Sequence, residues 1–368
     1  MSERYNRQII LDGFGERGQQ RLSQAKVLVI GAGGLGCPAL QYLVAAGIGH
    51  VGIADDDTIA LSNLHRQILY STEDVGELKA DVAGRKLKAM NPEISMTTHP
   101  FRIRRDNILE LLKKYDIILD GTDNFESRYL INDACALLAK PLVFAAVSGY
   151  EGQLAIFNAG PKEQRTNYRD IFPIPPLPGE IPNCAESGVL GVLPGILGTM
   201  AASETIKLIS GIGEALLNQL LHYNLLNQAQ YIISLSPNSD YEMPATEKDF
   251  LNQNNDSSSC ELPQDYLEID AQQLNAMQGN SSVLLIDVRE NYEMPALDDG
   301  VFSKIPMSGF ADFLDSNVEA ENIVLICQHG IRSVAAAEAL QQKYGATKKI
   351  YSLKGGIVKW RNQLNGIL

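Results

Sequence analysis

The sequence has no long uninterrupted apolar run, no regular cysteine framework and no excess of positive charge. The nearest approach to a membrane span is VLGVLPGILGTMAASETIKLISG (189–211). Pro194, Glu204 and Lys207 interrupt it, so it reads as a buried helix. The first ten residues, MSERYNRQII, are polar and lack the apolar stretch of a secretory signal. Five cysteines without regular spacing do not make a disulfide scaffold, and they predict a reducing, cytoplasmic setting. A net charge of −13 argues against nucleic acid as the main partner. What is present is a globular composition, 45% hydrophobic and 20% charged, and 368 residues suffice for two or three cores.

Strand and helix patterns alternate through the first half. KVLVIGAGGLG (26–36) is a buried strand entering a glycine loop, CPALQYLVAAG (37–47) a helix, and HVGIADDD (50–57) the next strand. ELKADVAGRKLKAMNP (77–92) is a helix stopped by Asn-Pro. MTTHPFRI, DNILELLKKY and DIILDGTDN then read as strand, helix, strand, and another helix and strand follow through residue 149. This order predicts an α/β fold with a mostly parallel sheet covered on both faces. EGQLAIFNAG (151–160) and HYNLLNQAQYIISLS (222–236) read as later antiparallel strands. Between them, 160–191 is an irregular, proline-rich loop of the kind that is functional or mobile. Residues 244–264 are polar and rich in Ser and Asn, which is linker composition. A second, smaller α/β pattern follows. The expected organisation is 1–243, a linker at 244–264, and 265–368.

Gly31, Gly33, Gly34 and Gly36 form a glycine loop between a strand and a helix, where backbone can approach phosphates and a helix N-terminus favours negative charge. Asp55, ending the second strand, is placed for a ribose hydroxyl. By themselves these residues suit a nicotinamide dehydrogenase as well as an ATP enzyme. SNLHRQ (62–67) then adds Asn63 and Arg66, and Lys79 follows. Triphosphate chemistry needs such cations, whereas a dehydrogenase does not. GTDN (121–124) ends a parallel strand, where ligands bind, and a carboxylate at Asp123 suits Mg²⁺. Asp56 and Asp57 are open: either joins the site or caps the turn.

RYNRQIILDGFGERGQQRL, GAGGLG, DDDTIALSNLHRQ, GTDN and CAESGVLGVLPGILG together resemble the ubiquitin-activating-like adenylyltransferases, the ThiF-type proteins that activate molybdopterin-synthase and thiamine sulfur carriers. The resemblance spans about residues 1–236. It implies a Rossmann-like fold binding ATP and Mg²⁺. Asp55 would hold the ribose, Asn63, Arg66 and Lys79 would surround the phosphates, and Asp123 would hold the metal. Arg7 would reach across a homodimer to the partner's phosphates. Such proteins commonly hold zinc with two CxxC pairs. Here the first would fall at Asn167-Tyr168-Arg169-Asp170 and the second near SPNSDYEMP (236–244), neither with a cysteine, so no zinc is expected.

Among the cysteines, Cys37 and Cys135 lie in helical patterns and read as packing residues, and Cys260 lies in the linker. Cys184 stands in the irregular loop, and by the resemblance it forms a covalent link with the activated carrier. Cys327 ends the apolar run NIVLI and opens CQHGIRS (327–333). A strand end closing onto a helix start gathers N–H groups around one point and favours a thiolate there. Gly330 permits the turn, Arg332 adds charge or braces the loop, and Ser333 can cap the helix. IDVRENYEM (286–294), CQHGIRS and LKGGIVKW (353–360) resemble a rhodanese-like domain, in which Cys327 would carry a persulfide. Asp287 and Arg289 would then be a structural pair. The rival reading of such a loop, a phosphatase, is met by the small size of the cradle.

The expected enzyme is therefore an adenylyltransferase joined to a sulfurtransferase. It would adenylate the C-terminal glycine of a small ubiquitin-like carrier ending in Gly-Gly. Sulfur would come from a donor such as a cysteine desulfurase and would yield a thiocarboxylate. The alternatives are an adenylyltransferase whose second domain only docks partners, and an NAD-dependent oxidoreductase. Neither nucleic acid nor a membrane is expected as a partner.

Overall fold

The computed structural model describes residues 3–176, 188–237, 241–252, 266–280, 282–291, 293, 295–328, 330 and 332–365. They form two compact units, the first running through Gln253.

In the first unit, eight strands make one sheet in the order β3-β2-β1-β4-β5-β6-β7-β8. Strands β1 (Lys26–Ile30), β2 (His50–Ala54), β3 (Ser95–His99), β4 (Ile117–Asp120) and β5 (Leu142–Ser148) are parallel; β6 (Glu151–Phe157), β7 (Gln219–Asn224) and β8 (Ala229–Ser234) are antiparallel. The apolar run of β1 is buried from Val27 to Ile30, as a central parallel strand covered on both faces requires. Two clusters of buried side chains, one on each face of the sheet, form its core. The chain leaves β1 for β2 on one side and returns to β4 on the other. That reversal opens a crevice at the carboxyl ends of β1 and β4.

The helices of this unit are α1 (Asn6–Ile9), α2 (Gly15–Gln24), α3 (Gly36–Ala46), α4 (Lys79–Met90), α5 (Ile108–Leu112), α6 (Phe125–Leu137), α7 (Val192–Ser210) and α8 (Glu247–Asn252). Two expectations change. Helix α7 buries one face, with Leu193, Leu197, Ala201 and Ala202 in the core, while Val192 is exposed. The segment expected as linker from 244 is in part a packed helix. Phe250 of α8 is fully buried among core residues, Arg105 donates to its carbonyl at 2.7 Å, and that guanidinium lies 4.7 Å from its ring centre. One aromatic ring in a polar stretch outweighs the composition around it, because burying a Phe stabilises by about 1.5–3 kcal/mol. The rest of the expected linker, 253–264, lies outside the described residues.

The second unit is a five-stranded, all-parallel sheet in the order β11-β10-β12-β13-β9. Its strands are β9 (Leu267–Ile269), β10 (Val283–Asp287), β11 (Ser303–Lys304), β12 (Asn322–Ile326) and β13 (Lys349–Leu353). Helices α9 (Ala271–Met277), α10 (Phe310–Asp315), α11 (Arg332–Tyr344) and α12 (Gly356–Asn365) accompany them, and core clusters lie on both faces of this sheet too.

Candidate active sites

The register of the first sheet builds the first site. Ile30 stands opposite Ala54 on one side and Asp120 on the other, so Gly31, Asp55 and Gly121 emerge side by side. Gly31 has φ of 91°, and a Cβ on it would stand 2.8 Å from the Gly121 carbonyl oxygen; only glycine fits. A Cβ on Gly36 would stand 1.9 Å from the Gly31 carbonyl oxygen, so the loop closes tightly onto the start of α3.

Above this turn lies a cavity of about 350 Å³. Gly31, Gly33, Gly34, Asp55, Asn63, Arg66, Lys79 and Asp123 all line it, from segments far apart in the chain. Asp55 accepts from Ala32 N at 2.7 Å and from Asp57 N at 2.9 Å, which aims its carboxylate across the glycine loop. Burial pushes this carboxyl up, and Lys79 and those two N–H groups only partly offset it. Lys79 is buried, and its Nζ meets Asp57 Oδ2 at 2.7 Å. Asp57 is thus the lysine's counter-ion, which the sequence left open. Asn63 Oδ1 accepts from Ala60 N at 3.0 Å, and Arg66 Nη1 donates to Ser62 O at 3.1 Å.

Two residues here were missed in the sequence. Asp120, fully buried at the end of β4, accepts from Thr122 N at 2.8 Å and Thr122 Oγ1 at 2.7 Å, fixing the turn that presents Asp123. Burial pushes its carboxyl up. An acid closing an apolar strand was the available signal. Gln67, beside Arg66, lines the cavity and is buried.

Gly36 begins α3 and does not line the cavity. Arg7 is exposed on α1, likewise outside the lining residues. Cys184 lies outside the described residues, as does Cys260. Cys37 and Cys135 are fully buried; burial pushes Cys37 up to about 12 and Cys135 well above its ordinary value, as packing residues.

The two segments where zinc cysteines would stand do meet, through other chemistry. Arg169 forms two hydrogen bonds with buried Asp133, at 2.7 and 2.8 Å. Its guanidinium lies 4.7 Å from the Tyr129 ring centre and 3.8 Å from that of Tyr241. The positions of the first pair are held by Asn167 and Asp170, which hydrogen-bond each other at 2.6 and 3.0 Å, and a cation–aromatic contact ties the two segments together, so the residues present do not fit a zinc thiolate site. Among the described residues, the metal-capable cluster is Asp55, Asp56 and Asp57.

The second site forms where β12 ends. Cys327 is fully buried. Gly330 N donates to its Sγ at 3.1 Å, and the thiol donates to Ser333 Oγ at 3.5 Å, which also accepts from Ser352 Oγ at 2.9 Å. Helix α11 starts just beyond this loop, and α12 starts against it: Ile357 N donates to Cys327 O at 2.9 Å. Gly356 has φ of 62°, and a Cβ there would stand 2.5 Å from the Cys327 and Gln328 carbonyl oxygens. Of the two roles open to Arg332, the structure has it bracing: its guanidinium grips Glu293 through two 2.7 Å bonds. Arg289, fully buried, is paired twice with Asp287 at 2.9 Å and donates to Gln328 Oε1 at 3.1 Å, while Lys304 reaches Asp287 at 3.0 Å. Burial works against the Asp287 charge, yet bonds from Arg289 and Lys304 hold its carboxyl below the ordinary range. These groups are structural supports of the cysteine loop.

A Rossmann-like nucleotide crevice with a clustered basic set, followed in the chain by a buried cysteine whose sulfur accepts from a backbone N–H, defines a two-site enzyme of the activating type. Residues 5–243 match the ThiF family and 270–363 match the rhodanese-like domain, and the chain belongs to the ThiF family with a rhodanese-like domain following it. It is an adenylyltransferase and sulfurtransferase. A Mycobacterium tuberculosis protein named "Probable adenylyltransferase/sulfurtransferase MoeZ" is 39% identical, over 98% of this chain and 93% of its own length. "Adenylyltransferase and sulfurtransferase MOCS3" of Drosophila persimilis is 36% identical, over 98% and 84%. "Sulfur carrier protein adenylyltransferase" of Thermus thermophilus is 51% identical, over 61% and 83%. Among solved structures, E. coli MccB with ATP shares the fold at a TM-score of 0.56 and 22% identity, over 66% of this chain and 74% of that one.

Proposed function

We propose that the chain adenylates the C-terminal glycine of a small carrier ending in Gly-Gly and then delivers sulfur to it. The observation that carries this reading is the convergence of Asp55, Asn63, Arg66, Lys79 and Asp123 on one cavity over the glycine loop. ATP is the substrate there. The glycine loop and the start of α3 receive phosphates, Asp55 accepts from the ribose, and Arg66 and Lys79 balance phosphate charge. Asp123 would hold Mg²⁺, which supplies further neutralisation of the leaving pyrophosphate. The tail carboxylate attacks the α-phosphorus, pyrophosphate leaves, and an acyl-adenylate results. The protein's contribution is position and charge. Arg7, exposed on α1, acts in trans on the phosphates of a second copy in a homodimer. No zinc takes part, since Asn167 and Asp170 stand in place of the first pair of cysteines and the Arg169–Tyr241 contact joins the two segments instead.

A persulfide on Cys327 attacks the acyl carbon and expels AMP, leaving an acyl disulfide. The thiolate of Cys184 then attacks the Cys327 sulfur. The thiocarboxylate departs, and a Cys184–Cys327 disulfide remains for a thiol reductant to open. The sulfane sulfur comes from a protein persulfide such as that of a cysteine desulfurase. The setting is cytoplasmic, and the carrier belongs to a molybdopterin, thiamine, tRNA-thiolation or other route that uses such carriers.

The test pairs two assays on Asp123→Ala. Carrier-dependent ATP–pyrophosphate exchange is abolished while persulfide formation at Cys327 is unchanged. Loss of both activities in a folded protein would defeat the two-site account.

A further inference from the structure

Gln67 is unlike the other polar side chains of the nucleotide cavity. Asp55, Asn63, Arg66 and Lys79 each have a partner within the chain, and Asp123 is open to solvent. Gln67 is only 3% exposed, lines the cavity, and its Oε1 is buried with no hydrogen-bond partner. Its backbone is fully engaged: N donates to Asn63 O at 3.0 Å, and O accepts from Tyr70 N at 3.1 Å. The backbone at Gln67 is therefore fixed, while the buried side-chain acceptor goes unused. A buried acceptor without a donor costs stability, and its persistence beside a ligand cavity marks a ligand contact.

The place of the side chain narrows the ligand. Gln67 Nε2 lies 3.6 Å from where a Cβ on Gly33 would stand, and Arg66 Cγ lies 3.4 Å from that position on Gly34. The two neighbours thus flank successive glycines at the approach to α3, the phosphate end of the crevice. Phosphate oxygens accept hydrogen bonds and cannot satisfy Oε1. Ribose hydroxyls fall to Asp55 at the β2 edge. The donor that adenylation must bring to the α-phosphate is the peptide N–H adjoining the reacting carboxylate. Resting on the adenylation reading, we infer that Gln67 binds the carrier tail, its Oε1 accepting from the N–H of the terminal Gly-Gly peptide unit.

The experiment uses the full chain, the variant Gln67→Met, and a recombinant β-grasp carrier ending in Gly-Gly. A second form of that carrier ends in N-methylglycine, which lacks the N–H. In carrier-dependent ATP–pyrophosphate exchange, Gln67→Met raises the carrier KM about tenfold, equivalent to about 1.4 kcal/mol. The ATP KM stays within about twofold. The melting temperature holds or rises, because an apolar side chain of similar shape removes the unsatisfied oxygen; a structural role would lower it. The N-methyl tail weakens the wild type by a similar factor and adds little to Gln67→Met. An N-methyl penalty retained in full by Gln67→Met overturns the inference, and so does a rise in the ATP or Mg²⁺ requirement in place of the carrier KM. Absence of exchange in the wild type with any such carrier would instead overturn the adenylation reading, and this inference with it.

Discussion

Replacing Lys79 by Met separates what this lysine does for folding from what it does for chemistry. Its side chain is 7% exposed, and its partner Asp57 is 69% exposed, with Nζ and Oδ2 2.7 Å apart. Once the lysine is gone, Asp57 is left in water, so the stability change stays within about 1 kcal/mol. Met keeps the aliphatic stem, and the backbone bonds to Asp57 O and from Tyr70 Oη do not involve the side chain. The reaction loses a fixed cation from a sheltered cavity in which phosphate charge must be balanced. Losses of this kind run to about 10²–10³ in rate, or about 2.7–4 kcal/mol. Lys79 also draws the Asp55 carboxyl down against its burial. Without it, Asp55 rises further, and the acid limb of ATP binding moves to higher pH. The assay is ATP–pyrophosphate exchange as a function of pH, with melting followed in parallel and persulfide loading at Cys327 as an internal control. Exchange within about fivefold of wild type, or an acid limb that does not move, would refute this role for the lysine.

In the second unit, Asp287→Asn leaves Arg289 a buried cation without its counter-charge and costs about 3–5 kcal/mol, read by denaturant unfolding of the full chain. The depressed Asp287 carboxyl stabilises the fold above the ordinary carboxylate range, and that stability is lost as pH falls through its folded value. Acid unfolding of this unit is accordingly blunted in Asp287→Asn. Gly356→Ala places a methyl 2.5 Å from the Cys327 carbonyl oxygen at φ of 62°; it slows persulfide loading and leaves pyrophosphate exchange at the wild-type rate. Phe250→Ala costs the first unit about 3–5 kcal/mol, whereas a residue of a solvated linker would cost almost nothing; differential scanning calorimetry distinguishes the two.

Much of this architecture was legible because its signals are local. KVLVI, the glycine loop and GTDN each declare a strand end, and the parallel register then brings those ends level. CQHGIRS likewise carries its own turn, although Ser333, expected as the helix cap, lies inside α11 and takes hydrogen bonds from Cys327 and Ser352 instead. The missed features depend on pairings between distant residues or on single side chains. Composition assigned 244–252 to the linker, since one Phe in EKDFLN gives no periodicity, yet its burial decides the segment. HYNLLNQAQYIISLS contains a hairpin whose turn, between Asn224 and Ala229, carries no glycine. That Arg332 serves Glu293, Lys79 serves Asp57, and Arg169 bridges Asp133 and Tyr241 follows from three-dimensional proximity alone.

The most direct test of the account is the intact mass of a Gly-Gly carrier incubated with this chain, ATP, Mg²⁺ and a persulfide donor. The account predicts that one oxygen of the tail is replaced by sulfur in the wild-type reaction, and that Cys327→Ala halts the carrier as its AMP adduct. Undiminished thiocarboxylate from Cys327→Ala, or an unmodified carrier with the wild type, would contradict it.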